Sequence, residues 1–509
     1  MEMSHRVNVD RINQIALALV LLVSYVYTFP RWADQSMNSR LDSIVAVVDD
    51  GTFQIDRFVQ NTVDYAKIGD HYYSDKPPGI AFLGIPVYAV LKQILRAPVV
   101  DGLVSRLSSN PAFASTLNPD GTGISPEKVR FALAYVVLSL LLGLIPTVVL
   151  ALLMYRLLRK LHIKPTASAL AVLGYGLLTP VFAYANTFYN HQLSAALLFA
   201  AFYLAFDREK LGQTSRLLAI GFLLAYSVIN EYPVALISGI LFLYTVYQLN
   251  QSGKVLKVIW CLATGLLVAG GWMAYNAAIF GGPFKIGYEY SADWIVQHHT
   301  GFMSLTFPHP SAMWGITFGA FRGLFFLSPL LLLAVPGMIV WWRRRVNRPE
   351  WLLSLAIVLV MYIFNASSIM WWGGFAIGPR YMLAAFPFIA VAMAYAMDEW
   401  GKKTWFEILS GVMAFWSLVA TWGLSLAGQS FPSDTIQNPL IQYALPNWLI
   451  GNIARNLGTI LHLPSISSLF PLGALLIVMG LAWWVALIRK TGSSSLIVKP
   501  GDQPLENVG

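Results

Sequence analysis

Tyr72-Tyr73-Ser74-Asp75-Lys76-Pro77-Pro78-Gly79 sits inside a polar stretch, residues 30–128, of a chain that is otherwise mostly apolar. The two prolines suit the start of a helix, because a proline in the first turn forfeits no intrahelical hydrogen bond. The helix they would open, 79–95, is apolar enough to cross a membrane. Whether it crosses decides the sidedness of every later segment.

Composition sets the frame for that decision. The 509 residues are 57% hydrophobic and 12% charged, with a mean hydropathy of +0.60, whereas a soluble chain carries about 25% charged residues. Apolar runs near 20 residues recur, the length a membrane-spanning helix needs. The chain therefore reads as an integral membrane protein. Its pI near 9.4 follows from basic residues gathered in cytoplasmic connectors, and nucleic acid is not an expected partner. The single cysteine, Cys261, excludes an intrachain disulfide and gives no support to a Cys/His metal cluster. The first apolar run, 12–29, is long for a signal-peptide core, and no small-residue cleavage site follows at Pro30-Arg31-Trp32. It is expected to remain as a helix.

Spans are expected near 12–29, 129–154, 166–185, 192–206, 216–230, 233–249, 256–279, 323–342, 351–370, 380–397, 404–427 and 472–488, about twelve in all. Their connectors sort by charge. Arg156, Arg159, Lys160 and Lys164 share a side with Arg208, Lys210 and Arg216, and with Lys254 and Lys257. Arg343, Arg344, Arg345 and Arg348 fall there too, as do Lys402, Lys403, Arg489 and Lys490. The positive-inside rule makes that side cytoplasmic and places both termini inside. Counting 79–95 as a span would reverse all of this, so it is read as an interfacial or re-entrant helix on the outer side. The expected architecture is an all-α polytopic membrane domain, 1–490. Its large first outer loop is 30–128, with further outer loops at 280–322 and 428–471 and shorter ones at 186–191, 230–232 and 371–379. A disordered cytoplasmic tail, 491–509, follows.

Polar chemistry then concentrates outside. A transporter or lipid-carrier flippase should carry ionisable residues within its spans, and few are found there. Three cations stand at the outer starts of expected helices: Lys76 before Pro77, Arg322 before Gly323, and Arg380 after Gly378-Pro379. A cation at that end is mildly unfavourable by itself, but a bound anion reverses the sign. Backbone N–H groups with an ammonium or guanidinium make a phosphate site. A lipid phosphate at the outer face points to a polyprenyl-phosphate carrier, and transfer from it needs a base for the acceptor. The first loop offers Asp34, Asp42, Asp49, Asp50, Asp56, Asp64, Asp70 and Asp75.

The order of an N-terminal span, a long acidic outer loop, Tyr-Tyr-x-x-Lys-Pro-Pro before a helix and then many spans resembles the GT-C glycosyltransferases. The nearest branch is the lipid-carrier-dependent one that includes the lipid A aminoarabinose transferase and the protein O-mannosyltransferases. Trp371-Trp372-Gly373-Gly374-Phe375-Ala376-Ile377-Gly378-Pro379-Arg380-Tyr381 is similar to a second motif of that group. The resemblance implies that Lys76 contacts the lipid phosphate and that a carboxylate shortly after the first span is the base. The family's acidic pair is missing there. Asp42 is taken as the base, with Asp34 and Asp56 behind it, and Arg40 as a further phosphate ligand beside Lys76, Arg380 and Arg322. Tyr73, Asp75, His191, Glu231 and Trp372 are the expected substrate contacts. The adjacent His298 and His299 make a poor metal site without further ligands. No metal ligand is assigned, although some GT-C enzymes use a divalent ion.

The resemblance implies an inverting glycosyltransferase in a bacterial inner membrane. It would move a sugar from a polyprenyl-phosphate donor to a lipid, glycan or protein acceptor at the outer face. An O-antigen polymerase or ligase is the rival enzyme, but its large polar loop comes late in the chain.

Overall fold

The computed structural model describes residues 2–108 and 126–492. The end of the first polar stretch, 109–125, and nearly all of the expected tail lie outside the described residues. The chain is an all-α polytopic membrane protein. Among the described residues, eight helices are long and apolar enough to cross a membrane, or nine if one sharply bent pair counts as a span. Four shorter apolar helices, Pro165–Leu177, His191–Phe206, Thr214–Asn230 and Pro329–Arg343, fill the other expected places. They fall short of the roughly 20 residues a full crossing takes, so length supports eight or nine crossings and does not establish twelve.

Phe386–Trp400 runs through the centre of the bundle. Thirteen of its fifteen residues, Phe386 to Asp398, are buried; a helix apolar on every face has to be wrapped by others. Pro165–Leu177 and Ala334–Arg343 pack directly on it.

Helix α1 (Glu2–Val26) leads into α2 (Gln35–Asp50). Asp34 caps α2, its side chain accepting from the Ser36 N–H at 2.9 Å, the usual way a helix start satisfies its free donors. Strands β1 (Tyr65–Ile68) and β2 (His71–Ser74) form an antiparallel hairpin with Tyr65 opposite Ser74. The Lys-Pro-Pro motif follows β2 directly and opens α3 (Gly79–Leu95). Helix α4 (Pro98–Ser108) turns away from α3 through 87°.

That bend answers the question posed by the apolar run at 79–95. Late in the long helix Lys128–Lys160, Tyr155 and Arg159 bond Asp10 near the start of α1, at 2.8 and 2.7 Å. Beyond the other end of α1, the Tyr135 hydroxyl of the long helix donates to the Arg31 carbonyl at 3.1 Å. Arg130, near the start of the long helix, bonds the Leu95 carbonyl and Asp101. The chain leaves α1 and enters the long helix at the same end of the bundle, and the 87° bend between α3 and α4 is compatible with a re-entrant pair. The basic connectors form their own network. Arg159 pairs with Asp10, Lys160 and Arg216 with Asp207, and Arg344 with Asp398 and Glu399.

Candidate functional site

A cavity of about 300 Å³ lies where the polar connectors meet. Asp34, Arg40, Asp64 and Lys76 come to it from the first stretch, Tyr189 and His191 from 186–191, and Glu231 from 230–232. Tyr288, Trp294 and His298 come from 280–322, Trp372 and Gly373 from 371–379, and Asp434 from 428–471. Each of the six segments that charge sorting puts on one side thus contributes to one wall.

Backbone geometry makes the convergence possible. A Cβ on Gly79 would lie 2.5 Å from the Asn230 Cα. Only a residue without a side chain lets the Lys-Pro-Pro turn press against the Asn230-Glu231 corner. Gly373 and Gly374 both have positive φ, +70° and +64°, a region open to glycine at no steric cost. A Cβ on Gly373 would lie 2.9 Å from Arg380 Nε.

The cations arrive already paired. Lys76 Nζ lies 3.1 Å from Asp64 Oδ2 and 3.1 Å from Asp75 Oδ1. Burial works against the ammonium, yet the two carboxylates outweigh it and raise its pKa. They share a single cation, and burial, with Asp75 adding to it, lifts Asp64 above the usual carboxylate range despite Lys76. Trp294 Nε1 donates to the other Asp64 oxygen at 2.9 Å, and Ser291 Oγ to Asp75 at 2.9 Å.

Arg380 Nη1 donates to Asp34 Oδ2 at 2.5 Å and to the Tyr189 hydroxyl. Burial opposes ionisation of Asp34, but the Arg380 charge and the Ser36 hydrogen bonds prevail and hold its pKa at about 2. Arg380 Nε is buried with no hydrogen-bond partner among the described residues. His191 Nδ1 and Glu231 Oε1 are 2.8 Å apart, and the second Glu231 oxygen is likewise unpartnered. His298 stacks on Tyr288 with ring centroids 4.5 Å apart. Burial, then the nearby Lys76 charge, push its pKa down to about 4, so the imidazole is neutral at physiological pH.

The residues singled out from sequence separate into two groups. Lys76, Arg380, Arg40, His191, Glu231 and Trp372 line the cavity. Asp42, Arg322, Tyr73 and Asp75 do not. Asp42 is fully buried within α2, with one hydrogen bond from Asn61 at 3.3 Å and, among the described residues, no partner for its second oxygen. Burial raises its pKa well above the ordinary value. Eight residues of helix separate it from Asp34, about 12 Å along the axis. Arg322, also fully buried, donates to the Trp372 and Gly374 carbonyls at 3.1 and 2.8 Å. It braces the glycine turn from behind. Tyr73 Oη lies 3.4 Å from Gln54 Nε2 on the hairpin, and Asp75 backs Lys76. Asp56 is exposed and paired with His71.

Asp434 was not singled out. It accepts from Trp372 Nε1 at 3.3 Å, and it is the lone acidic residue of segment 428–471, a signal open to inspection. Tyr189 and Tyr288 carry no such signal. Among the described residues, no group of three or more His, Cys, Asp or Glu side chains is placed to hold a metal ion.

Fold and cavity define an integral membrane protein whose polar side chains gather at one end of a helix bundle. No protein-family model and no curated protein matches the chain. Among solved structures it is similar to ArnT from Cupriavidus metallidurans in the apo state, at 15% identity, covering 93% of this chain and 75% of that one, with a TM-score of 0.46. ArnT from the same organism bound to undecaprenyl phosphate gives 15% identity, 95% and 77% coverage and a TM-score of 0.47.

Proposed function

We propose that this chain is an inverting glycosyltransferase that takes a sugar from a polyprenyl-phosphate donor at the outer face of the membrane. One observation carries the reading. Six connectors assigned to one side by charge line a single cavity that holds Asp34, Arg40, Lys76 and Arg380 at the end of an apolar bundle. A lipid chain fits among the helices, and a phosphate headgroup fits among the cations.

Asp34 takes the part of the base in place of Asp42. It is the first carboxylate after the first span, where the GT-C resemblance expects one, and it lines the cavity. With a pKa near 2 it is ionised at every physiological pH. The acceptor hydroxyl gives its proton to Asp34 as its oxygen bonds to the anomeric carbon. The bond from that carbon to the phosphate oxygen breaks, and the phosphate leaves with the electron pair. Lys76 and Arg380, with Arg40, stabilise the charge that develops there, in a buried site where such contacts are strong. His191, oriented by Glu231, contacts the substrate beside Tyr189.

The test compares polyprenyl phosphate with the uncharged polyprenol in nanodiscs. Lys76→Ala and Arg380→Ala should each weaken phosphate binding about tenfold or more, about 1.4 kcal/mol, and leave polyprenol binding unchanged. Asp34→Asn should keep phosphate affinity and lower transfer by about 10²–10⁴. Undiminished phosphate affinity in both cation variants would overturn the proposal.

A further inference from the structure

A second cavity, of about 430 Å³, opens beside the first. Gln35 and Val63 line both. That shared wall is fixed in place: the Val63 N–H donates to the Gln35 side chain, and Thr62 Oγ1 donates to the Gln35 carbonyl at 2.9 Å. The size falls within the roughly 300–1,000 Å³ typical of small-molecule sites.

The chemistry of the two cavities differs sharply. The first is lined by cations and carboxylates. None of the residues lining the second carries a formal charge. Three aromatic side chains face it, Trp32, Tyr65 and Tyr72, together with the amides of Gln35, Gln60 and Asn61. Tyr65 and Tyr72 meet edge to face, centroids 5.0 Å apart at 87°. Trp32 stands edge-on to Phe375, which lines the first cavity.

Each feature narrows the occupant. An anion or ammonium would lose its hydration with no opposite charge to replace it. A lipid chain would strand the Gln60 amide and the ends of Gln35 and Asn61 not taken by Val63 and Asp42. A peptide adding as a strand needs a free edge, and here Gln54 bridges to Tyr73 while Ala66 bridges to Ser291. A pyranose meets every requirement. Its hydroxyls pair with amides and phenols, and its C–H faces lie on aromatic rings that combine an apolar body with a polar tip.

We propose that this second cavity seats a neutral saccharide, the acceptor to which the sugar is passed. The proposal rests on the glycosyl-transfer reading of the first cavity. Gln35 directly follows Asp34, which lines the first cavity, so a saccharide held against the Gln35-Val63 wall lies next to the cavity that holds that carboxylate.

The experiment is saturation-transfer NMR on the full-length protein in nanodiscs. The probes are neutral gluco-, galacto-, manno- and rhamno-oligosaccharides, with uronate and glucosamine oligomers as charged counterparts. A neutral oligosaccharide should bind, and Tyr72→Ala and Gln60→Ala should each weaken it at least tenfold without changing polyprenyl-phosphate affinity. Gln60 is exposed, so Gln60→Ala keeps the test decisive if the tyrosine variant fails to fold. No binding by any neutral probe, binding unaltered in a folded variant, or preference for the charged probes would overturn the proposal. The glycosyl-transfer reading fails separately, through unaltered phosphate affinity in Lys76→Ala and Arg380→Ala. Saccharide binding with that result would leave a sugar site without the proposed chemistry.

Discussion

Replacing Lys76 by methionine keeps most of the length of the side chain and removes its charge. The ammonium is the shared partner of Asp64 and Asp75, each 3.1 Å away, and the three side chains are only 11%, 11% and 0% exposed. Removing one member of a buried ion pair costs about 3–5 kcal/mol, because the charge left behind is uncompensated. Proton uptake limits the cost. Asp64 already lies above its ordinary value with Lys76 present and will lie higher without it. A carboxylate whose pKa is raised in the fold binds its proton more readily there than in the unfolded chain. The variant therefore gains stability as pH falls and loses it as pH rises through that raised value, by up to about 1.4 kcal/mol per pH unit for one proton. Denaturant unfolding in detergent micelles, followed by tryptophan fluorescence from pH 5 to pH 8, should show a deficit largest at pH 8. Adding Asp64→Asn should recover at least half of it. A deficit below about 1 kcal/mol at pH 8, or one that grows on acidification, would refute the claim that this lysine neutralises buried carboxylates.

Two further outcomes follow from the geometry. Asp42→Asn removes a buried carboxylate whose pKa is raised by burial, so the variant should be at least as stable as the parent at pH 8, with the gap closing towards pH 5. Thermal unfolding across that range reads it, and lost transfer with stability and phosphate affinity intact would return catalysis to Asp42. Gly79→Ala drives a methyl group to 2.5 Å from the Asn230 backbone and should cost about 1–3 kcal/mol of stability. An unperturbed melting curve would mean that the two turns are not in contact.

That six polar connectors would gather at one end of the bundle was legible because basic residues cluster in the alternate connectors, and charge survives as a signal in a sequence poor in charge. Lys76 and Arg380 were legible for the same reason, as cations beside prolines and glycines at helix starts. The proposed base was harder to find. Helix α2 is buried along most of its length, from Ser36 through Ala46 save Asn38, so no polar face shows which side meets the cavity. Asp34 and Asp42 look alike until the cap and the rise of the helix are known. Arg322 carried the same sequence signal as Arg380, yet two backbone carbonyls take its guanidinium. Those acceptors lie some fifty residues away in sequence, at Trp372 and Gly374, and no local pattern announces them.

The pairing of Lys76 and Arg380 bears on how the site empties after a reaction. A bare cluster of cations would hold a spent phosphate as firmly as a reacting one, and such uniform binding does nothing for turnover. Here Asp34, Asp64 and Asp75 already stand at those cations. An arriving phosphate must displace them, and a departing one leaves them ready to close back. On the proposed reading the carboxylates act as built-in counter-ions, so the carrier lipid exchanges without leaving Lys76 or Arg380 unpaired.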